Sequence, residues 1–444
     1  MKIGIIGLPL SGHLNPMTAL ARKLKARGHE AILFGVPDAE PAARAANLGF
    51  VSYGEREFPC GAIEQKWSQV ARLQGDEVVR YTLTHIQPEL VRVGLQYLPQ
   101  KFLQTSIEAL VIDSVYFFIS LIPMRMKMPF AHAHYVLNLD FSGSTPLCFR
   151  TWPYETAPEA LARNQETLKM LGELLAPVAE AAMPYAQKTG MHINWSDPYA
   201  TMSKLLIVSQ TPKAFDFPID TWPAQFRYAG PFCDGDGREP IPFPWEKLNG
   251  KPLIYASLGT LVNGLENIYS VILNATSGLP EVQLVLSLGR NVDVDNLGPV
   301  PSNVIAVQEA PQMELLKRAS LCITHAGLNT ALESLANGVP MVAIPIAYDQ
   351  PGVAARIKHH RVGEFVEPSH LTTDRLKDSI QLVLSNPGYR DKARYFQKAI
   401  AQARGLDTAA DAIEHAFGQH RGAVSEPRPP ISSARDFIEW PAFL

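Results

Sequence analysis

Short apolar runs alternate with stretches of helical spacing along this chain, break off in a Pro- and Gly-rich stretch near its middle, and then begin again. In the first series, residues 3–7 read as a strand, and residues 17–27 have helical spacing ending at Gly28, a C-cap candidate. Residues 31–36 form the next strand, a helical pattern covers 39–46, and residues 109–112 are a β-type run that ends in Asp113. In the second series, residues 253–257, 283–288, 304–307, 321–324 and 341–344 read as strands, with helical spacing over 267–276, 328–337 and 353–360. Strand, helix, strand repeated in this way predicts a parallel sheet with helices on both faces. Between the two series crowd Pro231, Gly235, Gly237, Pro240, Pro242, Pro244 and Gly250, a linker composition. At 444 residues the chain is also too long for one ordinary core. The fold class is therefore α/β, with two Rossmann-like doubly wound domains facing a central cleft: residues 1–230, a linker at 231–250, and residues 251–420. In the tail at 421–444, Pro427, Pro429 and Pro430 precede Phe437, Trp440 and Phe443, and it reads as a loose tail or as a segment docking back on the first domain.

Composition narrows the function. The formal net charge of −3 offers no electrostatic handle for nucleic acid. Cys60, Cys148, Cys233 and Cys322 form no Cys-x-x-Cys pair, so they read as free thiols in a reducing compartment. The first apolar run is too short for a signal peptide. The apolar stretch 114–128 contains Pro123, Arg125 and Lys127 and is too short and interrupted to span a bilayer. The expectation is a cytoplasmic protein, a monomer or weak homodimer, for which a peripheral contact with the inner face of the membrane stays open.

The segment Thr324-His325-Ala326-Gly327-Leu328-Asn329-Thr330-Ala331-Leu332-Glu333 joins an apolar strand to a helix through a small, Gly-containing turn. Free backbone N–H groups and the positive end of the helix dipole would face whatever sits in that turn, which suits a phosphate. Gly327 allows close approach, and His325, Asn329 and Thr330 add side-chain donors. Glu333, a turn deeper, can accept from a diol such as a ribose. Asp349 and Gln350, after the 341–344 strand and Pro345, offer acceptors and donors to sugar hydroxyls.

These residues carry a resemblance. Glu309-Ala310-Pro311-Gln312, then His325 to Glu333, then Asp349-Gln350, resembles in order and spacing the donor-binding signature of the UDP-glycosyltransferase family, whose fold is GT-B. The run from Asp349 to Arg356 is especially similar to the bacterial members that act on natural products. The resemblance implies that His325, Asn329 and Thr330 meet the diphosphate, Glu333 the ribose, and Asp349 and Gln350 the donor sugar. It also implies that Gln312 and the Ala310 backbone meet the uracil, and that Ser257 and Thr260 belong to a loop near the phosphates. Glu309 stands where plant members commonly carry an aromatic residue that stacks on the base, and a glutamate cannot stack in that way.

In the first domain, the 3–7 strand runs into Leu8-Pro9-Leu10-Ser11-Gly12-His13-Leu14-Asn15-Pro16. The glycine spacing fits neither a dinucleotide fingerprint nor a Walker loop. It presents one histidine at the carboxyl edge of a sheet, ahead of a helix expected to begin near Pro16. Transfer to a hydroxyl needs a base for the acceptor proton, and histidine suits that near neutral pH. A carboxylate behind it would fix its tautomer, and Asp113 sits at another strand end of the same domain. The family's catalytic histidine stands in such a loop, with its aspartate about a hundred residues later, so the resemblance implies His13 as base and Asp113 as partner. His132 and His134 read as acceptor-side or structural. Asp234-Gly235-Asp236-Gly237 contains an Asp-x-Asp pair, but no strand precedes it and it reads as turn chemistry.

The expectation is thus an inverting glycosyltransferase moving a sugar, glucose foremost, from a UDP-sugar to a hydroxyl of a small hydrophobic acceptor such as a carotenoid, polyketide or flavonoid. The apolar stretch 116–135 motivates the acceptor class. No metal or other cofactor is expected, the UDP-sugar being a co-substrate. A lipid-linked sugar transferase or epimerase of the same architecture, and a non-catalytic nucleotide-sugar-binding protein, stay as alternatives.

Overall fold

The computed structural model describes residues 1–236, 240–261, 263–289 and 292–424. The first sheet holds β1 (Lys2–Ile6), β2 (Glu30–Gly35), β3 (Gly49–Ser52), β4 (Ala109–Asp113), β5 (Phe130–His134), β6 (Leu206–Ser209) and β7 (Phe226–Tyr228). Its order is β3-β2-β1-β4-β5-β6-β7, every neighbouring pair parallel. The second holds β8 (Leu253–Ser257), β9 (Gln283–Ser287), β10 (Val304–Val307), β11 (Ala319–Thr324), β12 (Met341–Ala343) and β13 (Gly363–Phe365), ordered β10-β9-β8-β11-β12-β13 and again parallel. Inner strands such as Ala109–Asp113 and Leu253–Ser257 are buried at every position, because helices cover both faces. Chain direction across each sheet reverses once, between β1 and β4 and between β8 and β11, and a crevice opens at the carboxyl ends there.

Helix α1 spans Ser11–Ala26 and so begins five residues before Pro16, which lies inside it. The expected start near Pro16 followed the residue's preference for a first turn. The structure overrides that preference by giving the first turn partners from the second domain, described below. The helix ends as expected, with Gly28 at φ 90 just beyond it.

The helix Gly405–Val424 corrects the domain boundary drawn from sequence. Its buried residues Leu406, Ala409, Ala410, Ile413 and Phe417 pack with Ile3, Ile5, Leu20 and Leu24, on the first sheet rather than the second. Arg27, just past the end of α1, fastens it, 3.0 Å from both Asp407 and Glu414. The apolar spacing of a helix marks a buried face without saying which core that face covers. This helix also runs past residue 420, and the remaining tail, 425–444, lies outside the described residues.

The two units meet over a buried ion pair. Arg356, on the helix Gln350–His359, donates from Nε at 2.9 Å and Nη2 at 2.6 Å to Asp216 Oδ1, while Asp216 Oδ2 accepts from Asn138 Nδ2 at 3.0 Å and Tyr228 Oη at 2.9 Å. The Phe217 ring lies 4.0 Å from the guanidinium carbon. Arg356 Nη1 donates to the Gly352 carbonyl at 3.0 Å, so all three guanidinium nitrogens and both carboxylate oxygens have partners, as a buried pair requires.

Candidate active site

The β1–β4 neighbourhood builds the first half. Asp113 ends β4 with its side chain fully buried, and His13 sits in the first turn of α1, 12% exposed. The His13 Nδ1 to Asp113 Oδ2 distance is 2.8 Å. The carboxylate is aimed by backbone: Leu8 N–H donates to Oδ2 at 3.3 Å and Val115 N–H to Oδ1 at 3.2 Å. Gly7 makes room, since a Cβ there would stand 2.8 Å from Asp113 Cβ and 2.9 Å from Met17 Sδ. Donation of Nδ1–H to the carboxylate leaves Nε2 as the basic nitrogen. Burial lowers the His13 pKa, but the charge and hydrogen bond of Asp113, with the more distant charge of Asp349, outweigh it and leave the imidazole more basic than usual.

The β8–β11 neighbourhood builds the second half. After β11 the backbone turns through Ala326 at φ 65, a left-handed conformation uncommon for a residue with a side chain, and Thr324 Oγ1 accepts from Ala326 N–H at 3.1 Å. The turn feeds the helix Leu328–Ala336, whose first N–H groups lack intrahelical partners. The His325 imidazole lies between two glycines: a Cβ on Gly259 or on Gly327 would stand 2.7 Å or 2.4 Å from its ring. Gly327 was expected to admit a ligand; in the structure it admits His325. Burial lowers the His325 pKa to about 4, so the ring is neutral, and its Nδ1 is buried with no hydrogen-bond partner among the described residues. A neutral imidazole N–H with free backbone donors beside it can receive an anion without a metal.

The remaining expected donor residues lie around this turn. Ser257 ends β8, and Thr260 follows in the next loop, exposed. Glu333 is buried; its Oε2 accepts from Gln312 Nε2 at 2.5 Å, and Gln312 Oε1 accepts from Tyr255 Oη at 3.1 Å. Gln312 Nε2 also lies 3.4 Å from Thr330 Oγ1. The structure therefore brings the expected base and ribose residues side by side, with Gln312 spent on Glu333. Ala310 is buried next to an exposed Glu309. Asp349 follows Tyr348, at φ 55, and its Oδ2 accepts from Leu137 N–H of the first unit at 2.8 Å. Gln350 Oε1 accepts from Ile346 N–H and Ala347 N–H at 2.8 Å and 2.9 Å. Burial raises the Asp349 pKa against the opposing Leu137 N–H and the charges of His13 and Arg356.

The halves touch directly. Ser11 Oγ lies 2.7 Å from Thr260 Oγ1, and Asn329 Nδ2 donates to the Gly12 carbonyl at 2.6 Å. Gln210 Nε2 donates to Asn329 Oδ1 at 2.8 Å. Ser11 and Gln210 were not singled out from sequence. Gln210 follows the last residue of β6, and the rule that ligand-side residues gather at carboxyl strand ends would have marked it.

Other signals resolve as structure. His132 and His134 are buried on β5, with pKa values lowered by burial to about 3 and about 4; His132 Nδ1 accepts from Ser203 N–H at 3.0 Å. Asp234 Oδ1 accepts from Arg22 Nη2 at 2.6 Å and from Asp236 N–H at 3.1 Å, with Gly235 at φ 80 between them, so the Asp-x-Asp pair closes a turn; Gly237 lies outside the described residues. Among the described residues no cluster of three or more His, Cys, Asp or Glu is arranged to hold a metal ion, and no helix is long and apolar enough to cross a membrane. No disulfide joins the four cysteines, and burial pushes the Cys322 thiol up to about 12.

Solved structures share this architecture from end to end. The glycotransferase of kitacinnamycin aligns with TM-score 0.70 at 23% identity, covering 94% of this chain and 98% of its own, and the calicheamicin glycosyltransferase CalG4 with TM-score 0.68 at 21%, covering 94% and 99%. The fold is that of the GT-B glycosyltransferases. The sequence profile described as "UDP-glucoronosyl and UDP-glucosyl transferase" matches residues 188–424, more than half of the chain, and the chain belongs to that family of glycosyltransferases. Among curated relatives, zeaxanthin glucosyltransferase of Pantoea ananas is 27% identical over 92% of this chain and 94% of its own, and the NDP-glycosyltransferase YjiC of Bacillus subtilis 25% identical over 93% and 96%. The oleandomycin glycosyltransferase of Streptomyces antibioticus is 33% identical over 41% of this chain and 42% of its own.

Proposed function

We propose that this glycosyltransferase moves a hexose, glucose foremost, from a UDP-sugar to a hydroxyl of a small hydrophobic acceptor, with inversion at the anomeric carbon. The observation that carries the reading is the His13–Asp113 pair, seated in a turn that is itself hydrogen-bonded to both donor-side loops. His13 Nε2 takes the acceptor proton as the hydroxyl oxygen attacks the anomeric carbon. The bond from that carbon to the diphosphate oxygen breaks on the opposite face, and UDP leaves with the electron pair. Asp113 stabilises the imidazolium that forms. Negative charge on the leaving diphosphate is met by the N-terminus of the Leu328–Ala336 helix and by His325 and Thr330. Glu333 and Gln312 take the nucleoside end, with the Ala310 backbone at the base. Asp349 and Gln350 take the sugar, and Ser257 and Thr260 line the phosphate loop. No metal is assigned to any step.

The acceptor class rests on two supports. Phe117 and Phe118, a few residues past the carboxyl end of β4, are partly buried, and the Phe118 ring lies 5.5 Å from that of the partly buried Trp195, offering aromatic surface in the first unit. Relatives across the chain's length are named zeaxanthin glucosyltransferase and demethyllactenocin mycarosyltransferase. Incubation with a panel of nucleotide sugars and hydroxylated apolar acceptors, read by mass spectrometry, tests the proposal. A glycoside formed from a UDP-hexose supports it. Interconversion of sugars without an acceptor, or binding without turnover across the panel, would overturn it.

A further inference from the structure

A proline inside a helix lacks the N–H that would serve the carbonyl four residues back, and its ring pushes that carbonyl off the helix axis. Pro16 does this to Gly12. The Gly12 carbonyl instead accepts from Asn329 Nδ2 at 2.6 Å, across 317 residues and from the other domain. The same amide is held from its other end, where Asn329 Oδ1 accepts from Gln210 Nε2 at 2.8 Å, and Gln210 is buried and also donates to the Tyr135 carbonyl. With one end accepting and the other donating, the orientation of the Asn329 amide is fixed, and one of its two N–H groups is spent on the first domain. Gly12 adjoins His13.

We propose that Asn329 is a positioning residue: its amide latches the carbonyl that Pro16 frees and thereby seats the His13 turn over the donor loops. This goes beyond the expected diphosphate contact of Asn329, and it rests on the reading of His13 as base. Ser11, hydrogen-bonded to Thr260 on the neighbouring loop, gives the same turn a second tie.

The latch separates binding from turnover. In Asn329→Ala, kcat is expected to fall about tenfold, the worth of one well-formed bridging hydrogen bond, while the Kd for UDP stays within about twofold of the parent. A diphosphate contact would do the reverse, weakening UDP and sparing kcat at saturating donor. Pro16→Ala supplies the second arm. It returns an N–H to the helix, so a purely structural role for Pro16 calls for a higher melting temperature and parental turnover. The latch calls for kcat lowered about fivefold without a lower melting temperature, and for a double variant no slower than Asn329→Ala alone, because the two act on one bond. Parental kcat in Pro16→Ala, or loss of UDP affinity in Asn329→Ala with kcat kept, overturns the latch. Should Pro16→Ala melt lower than the parent, the Asn329→Ala split alone decides. His13→Ala is judged apart: an active His13→Ala enzyme removes the base reading, whereas parental kcat in the latch variants beside an inactive His13→Ala removes only the latch.

Discussion

His13 Nδ1 and Asp113 Oδ2 lie 2.8 Å apart, joining the first turn of α1 to the end of β4 across 100 residues of sequence. The carboxylate is buried and held by two backbone N–H groups, so it sets both the tautomer and the basicity of the imidazole.

Asp113→Asn keeps the shape of this pair and removes its charge. Since burial alone lowers the His13 pKa and the Asp113 charge and hydrogen bond raise it, the variant's imidazole becomes less basic. A general base works when unprotonated, so transfer rises with pH through the His13 pKa. The acid limb of kcat/KM against pH is expected to move to lower pH in the variant, with the plateau down by about a hundredfold or more. An unmoved acid limb would separate Asp113 from His13.

Acid should destabilise the fold before carboxylates titrate. His132, His134 and His360 are held neutral by burial, with pKa values lowered from 6.5 to about 3, about 4 and about 4. Between pH 6.5 and those values the unfolded chain binds protons that the folded chain refuses, so the stability these groups contribute is full above about pH 6.5 and is lost as pH falls. The thermal midpoint is expected to drop steadily from pH 7 to pH 5. His325 shares the depressed pKa, but a bound diphosphate favours its charged form, so UDP should protect more at pH 5.5 than at pH 7.5. Equal protection at both values would remove His325 from the diphosphate.

Arg356→Leu strands the buried Asp216 carboxylate between Asn138 and Tyr228. The expected cost is about 3 kcal/mol in chemical denaturation, the usual order for breaking a buried pair from one side. Replacing both partners, as Asp216→Leu with Arg356→Met, should recover much of that loss.

The strands and the two sheets were legible because parallel strands buried on both faces leave unbroken apolar runs, and residues 253–257 and 304–307 were read with their observed bounds. The strand-to-helix turn was legible because His325, Gly327 and Glu333 lie within one connection between β11 and the following helix. What sequence could not show is contact between the units. Asn329 reads from sequence as a phosphate donor, and only the structure places Gly12 and Gln210 beside it; Pro16 reads as a helix start, and only the structure puts it inside α1. Asp216 carries no local pattern, and the family-like run that ends at Arg356 gives no sign of a partner in the first unit. The helix Gly405–Val424 shows a buried face in its spacing, but the sheet it covers is a matter of chain path.

The central claim is that His13 removes the acceptor proton in a nucleotide-sugar transfer. Its most direct test measures product formation by His13→Ala at saturating UDP-sugar and acceptor, with UDP binding followed by calorimetry on the same sample. The expected result is transfer lowered by at least about a thousandfold with the Kd for UDP unchanged, because no donor-side group is touched. Turnover near the parental rate would contradict the account.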